Sequence, residues 1–108
     1  MDEALCVQFY VLEGSRHDGR LVHEWLFAQA QAVGLGGGSV FRASAGFGRH
    51  GLAQDSFFEL AGRLPERVEF IGPPAAIEAL IDRVATAGLR LVYVRFPVHC
   101  GITGEDKP

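Results

Sequence analysis

Gly46-Phe47-Gly48-Arg49-His50-Gly51 concentrates more chemistry than any other stretch of this chain. Its glycines free the backbone for positive φ and for close approach to a ligand, with no Cβ in the way. Arg49 adds a planar donor fork suited to phosphate or carboxylate, and His50 adds a titratable group. A second polar cluster, Glu13, Arg16 and His17, precedes an expected helix N-terminus, where backbone N–H groups and the helix dipole favour anions. Its plainer reading is a solvated turn with Glu13 and Arg16 loosely paired. A third set, Cys6, His99 and Cys100, has the donor types of a soft-metal or redox site. Antiparallel pairing of the first and last strands is expected to bring Cys6 near Cys100. His17, His50 and Glu13 are the residue types of acid–base catalysis, but no nucleophile–base spacing accompanies them, so the chain is read as no enzyme.

Composition narrows the setting. The 108 residues make one domain with one core, expected over 1–100 with a polar tail at 101–108. Hydrophobic content of 48% with 21% charged residues is that of a globular chain. A net charge of -3 provides no basic field for a nucleic-acid backbone, so no nucleic-acid partner is expected. No apolar run is long enough to span a membrane, and Met1-Asp2-Glu3 is acidic where a secretory signal is basic. A cytoplasmic protein is expected, with its two cysteines reduced.

The elements that must position these residues follow from periodicity. Ala4–Leu12 is an apolar run and reads as a strand covered on both faces. Asp18 is placed to cap a helix in which Leu21, Val22, Trp25, Leu26, Ala28, Ala32 and Val33 fit helical spacing, with Gly34 as its stop. Ser39–Ala45 alternates, with Phe41, Ala43 and Ala45 on one face and Val40, Arg42 and Ser44 on the other, wetter one, and Trp25 and the phenylalanines are read as core packing. Phe57–Leu64 suits either a short helix or an irregular strand, and Arg67–Ile71 is a strand. Pro73 and Pro74 open a second helix with Ile77, Leu80, Ile81 and Val84 as its stripe and Gly88 as its stop, and Leu91–Val98 is the last strand. This βαββαβ order is ferredoxin-like α+β: one antiparallel sheet with two helices on one face. Both faces of the first strand are apolar, so the other sheet face is expected to be buried in an oligomer.

The chain resembles the PII signalling superfamily and, within it, the PII-like family of domain of unknown function one-ninety. The likeness runs from about Leu5 to Val98. It is carried by Glu13-Gly14-Ser15-Arg16-His17-Asp18-Gly19, the Leu21 to Glu24 step, Gly34-Leu35-Gly36-Gly37, Gly46-Phe47-Gly48 and Leu64-Pro65. The resemblance implies a homotrimer that binds a small-molecule effector, such as an adenine nucleotide, in clefts between subunits. It also implies a protein partner such as a membrane transporter or channel, contacted through a loop whose base matches Gly46, Phe47, Gly48 and Arg49. That loop is short here, and Ala87-Gly88-Leu89-Arg90 stands where PII proteins carry a phosphate-holding Gly-Asp-Gly-Lys. A metal-tolerance trimer using Cys6, His99 and Cys100 is the alternative.

Overall fold

The computed structural model describes residues 3–46 and 64–105. Strand β1 (Glu3–Leu12) leads through a small hairpin, β2 (Arg16–His17) and β3 (Arg20–Leu21), into helix α1 (Val22–Ala32). Then follow β4 (Ser39–Arg42), β5 (Pro65–Gly72), helix α2 (Pro74–Thr86) and β6 (Val92–His99). Strands β4-β5-β1-β6 lie side by side in that order, every pairing antiparallel. This is the ferredoxin-like arrangement expected from the element order.

Alternation along β1 sends Val7, Phe9 and Val11 into the core. Register sets Val7 opposite Phe70 and Phe9 opposite Val68, with Phe9 and Phe70 in edge contact at 6.4 Å. Leu26 of α1 and Ile77 and Leu80 of α2, each fully buried, pack over this face. Among the described residues no helix covers the opposite face, which is left bare. It carries Tyr10, Phe41, Ile71, Val94 and Phe96, each around two-fifths exposed. Five such side chains on one face are what the apolar second face of β1 led us to expect.

The structure departs from the sequence reading in three places. Asp18 does not cap α1: with φ 53, followed by Gly19 at φ 77, it makes the two-residue turn of the β2–β3 hairpin, the twist that type I′ turns supply. The N-cap of α1 is Leu21, and the Val22 N–H donates instead to the Ser15 carbonyl at 3.0 Å. Strand β4 ends at Arg42 rather than Ala45, and its faces are inverted: Val40 pairs with fully buried Val68, while Phe41 stands on the bare face. Phe41 and Phe96 are therefore not core residues. The Pro73-Pro74 opening holds, with Pro73 as N-cap and Pro74 the first helical residue. A Cβ at Gly38 would run into the Phe70 ring, so the chain needs glycine there to enter β4.

Candidate functional site

The end of the sheet where β1 and β4 finish and β5 and β6 begin gathers the chemistry. Across it, Phe41, Arg67, Tyr10 and Val92 form one row of paired residues from edge to edge. At the β4 edge a buried carboxylate organises the surroundings. Glu66 continues the inward stripe of Val68 and Phe70, so alternation alone buries it, to 3% exposure. A buried carboxylate needs compensating charge and hydrogen bonds. Arg42, its cross-strand partner, donates to it at 3.1 Å, and His23 Nδ1 of α1 lies 3.5 Å from its other oxygen.

Glu13 completes the cluster. Its backbone N–H donates to the Leu64 carbonyl at 3.1 Å, and its carboxylate accepts the Leu64 N–H at 2.9 Å. The other carboxylate oxygen lies 3.8 Å from Arg42 Nε. The Ala43 N–H donates to the Pro65 carbonyl at 3.0 Å. Both ends of the connection between β4 and β5 are thus clamped, and Glu13, read from sequence as a ligand contact, is part of the clamp.

The other expected residues fall as follows. Gly46 is exposed beside Pro65 at the start of the connection, while Phe47, Gly48, Arg49 and His50 lie outside the described residues. Arg16 is exposed and donates to the Gly19 carbonyl at 3.0 Å within the hairpin. His17 packs edge-on against Trp25 at 4.8 Å and sits 3.7 Å from Asp18. The structure does not bring the cysteines together. Cys6 pairs with Phe96 and Glu3 with His99, so three residues, roughly 10 Å of strand, separate Cys6 from the level of His99. Among the described residues no three His, Cys, Asp or Glu side chains form a metal-sized group. Burial pushes the Cys6 thiol up, Glu69 adds to the effect, and Arg67 opposes it.

Sequence reasoning missed Arg42, Glu66 and His23 as a unit. One signal was present: Glu66 lies two residues before Val68, on the face that Val68 and Phe70 mark as inward.

At the β6 edge, on the same end and the same face, the surface is of another kind. A groove of about 570 Å³ runs between the last turns of α2 and the start of β6, walled by Phe9, Ile81, Val84, Leu89, Leu91 and Tyr93. It lies beside Ala87-Gly88-Leu89-Arg90.

A family model described as uncharacterized ACR, DUF190, matches residues 4–95. The chain belongs to the DUF190 family. A UPF0166 protein of Methanocaldococcus jannaschii is 29% identical over 84 residues, 78% of this chain and 74% of that one. A UPF0166 protein of Aquifex aeolicus is 28% identical over 79 residues, 72% of this chain and 75% of that one. Among solved structures, CPII of Thiomonas intermedia, bound to ADP and bicarbonate, superposes with a TM-score of 0.63 at 11% identity, covering 93% of this chain and 90% of that one. A putative PII-like signalling protein of Thermus thermophilus gives 0.57 at 11% identity, covering 93% and 91%. The fold of this DUF190 member is PII-like. Among its described residues, no helix is long and apolar enough to cross a membrane.

Proposed function

We propose that this DUF190 chain is a non-enzymatic, cytoplasmic PII-like regulator. It assembles as a homotrimer through the bare sheet face and binds a small, anionic effector in clefts between copies. One observation carries the reading: the charged cluster at the end of β4 and the groove at the start of β6 share one end and one face of the sheet but occupy opposite edges. Three strand spacings, roughly 14 Å, separate them within a copy. Two copies side by side would bring the β4 edge of one to the β6 edge of the next and close a single cleft.

Gly46, Phe47, Gly48, Arg49 and His50 then line the cleft from the β4 side, and the effector biases the connection between β4 and β5. That change alters contact with a protein partner such as a transporter or channel, which requires different effector affinity in the two loop states. The Thiomonas structure contains ADP and bicarbonate, so both belong in the first screen. The test is a thermal-shift panel of adenine nucleotides, cyclic nucleotides and bicarbonate, paired with sedimentation to count copies. An effector at about 100 times its Kd adds roughly 2.7 kcal/mol, and Arg49→Ala should remove that gain from an intact trimer. A monomer that no panel compound stabilises would sink the reading.

A further inference from the structure

The groove beside β6 has a chemistry that the PII-like fold does not prescribe. Its volume of about 570 Å³ falls in the range of small-molecule sites. Phe9 forms a fully buried floor, and Tyr93, 6.0 Å away between ring centres and two-fifths exposed, forms one wall. Ile81, Val84, Leu89 and Leu91 add aliphatic surface, and among the described residues the one charged member of the lining is the exposed Arg90.

The backbone at this place is already bonded. Gly88, at φ 77, lets α2 close on itself: the Ala87 N–H donates to Arg83, the Gly88 N–H to Ala85 and the Leu89 N–H to Val84. Three of the four N–H groups of Ala87–Arg90, the donors from which a nest for a polyphosphate would be built, are thus already committed. The C-terminal end of α2 also brings partial negative charge to the groove. Several phosphate charges therefore meet one guanidinium and no free nest, whereas a single charge is what Arg90 can match.

We infer that this groove binds an amphiphilic monoanion: a flat apolar body against Phe9 and Tyr93, with one carboxylate or sulfonate reaching Arg90. The inference rests on the effector-cleft reading for its regulatory meaning and names the ligand class of the β6 half of that cleft.

Methyl-resolved NMR of the full chain tests it, with anilinonaphthalene sulfonate and inorganic tripolyphosphate as probes. The sulfonate should shift the Ile81, Val84 and Leu89 methyls saturably, and tripolyphosphate should leave them in place. Arg90→Ala should weaken the sulfonate by about five- to tenfold, the share of one exposed charge-assisted bond. Leu89→Asp, at a partly buried position, should abolish it in a protein whose melting profile still shows one folded domain. Shifts confined to Ile71 and Val94 would move the sulfonate to the bare sheet face and overturn the inference. Shifts of the Gly88–Arg90 amides by tripolyphosphate, or silence at every groove methyl, would overturn it too. A nucleotide that stabilises the trimer without touching the groove methyls leaves the regulator reading standing and removes this one. Groove binding by a chain that stays monomeric does the reverse.

Discussion

Two edges of one sheet end here in opposite ways. At the β4 edge four ionisable groups, Glu13, Arg42, Glu66 and His23, hold four chain segments together around one buried carboxylate. At the β6 edge α2 closes through its own backbone, and apolar side chains around a groove are left to face outward. The first edge commits its polar groups to fixing a chain path, and the second leaves its surface open. The contrast teaches where a ligand can gain contacts without displacing something the fold already uses. At the β4 edge a new anion must compete with Glu13 and Glu66 for Arg42. At the β6 edge no ion pair among the described residues has to open.

The comparison can be broken at its strongest point first. Phe9 is at once groove floor and core, so Phe9→Ala should cost about 3–4 kcal/mol in denaturant unfolding, far more than any wall residue. A loss under about 1 kcal/mol would mean that the groove floor is not continuous with the core.

Next comes the charged edge. Arg42→Ala leaves Glu66 buried with only His23 beside it and should cost about 2 kcal/mol, less than for a fully buried pair because Arg42 itself faces water. Adding Glu66→Gln to that variant should return part of the loss, since the orphaned charge is gone. If the double variant is no more stable than the single one, the penalty is not electrostatic.

The smallest effect sharpens the contrast by testing locality. Cys100 is exposed, whereas Cys6 is buried with its thiol pushed up, so at mildly alkaline pH Cys100 should alkylate well ahead of Cys6. Because folding raises the Cys6 pKa, the unfolded chain loses that proton first. Stability should therefore decline as pH climbs past the ordinary thiol range. Arg42→Ala should leave the alkylation ratio of the two thiols unchanged, as timed mass spectrometry of the labelled chain would show.

Much of this architecture was legible because each element announces itself locally. The apolar run of β1, the Pro73-Pro74 opening and the glycines closing both helices each carry a sufficient local reason. What escaped notice depends on pairing. Whether Val40 or Phe41 points inward is decided by Val40 meeting Val68, a contact 28 positions away in the chain. The ion pair of Arg42 with Glu66 spans 24 positions, and the clamp of Glu13 on Leu64 spans 51. Register likewise set His99 against Glu3 and kept Cys6 apart, where strand order alone promised neighbours. The Asp18-Gly19 hairpin is a different kind of miss. Its dipeptide is a strong turn signal, outweighed by reading Asp18 as a helix cap.

The placement of two unlike half-sites on opposite sheet edges has a genetic consequence. If a cleft takes one half from each of two copies, a copy spoiled at its β4 edge still lends a sound groove to its neighbour. A copy spoiled at its groove still lends a sound β4 edge. Two inactive alleles, one of each kind, expressed together would then rebuild about one intact cleft in four by random assembly in a closed ring. Two alleles damaged at the same edge would rebuild none.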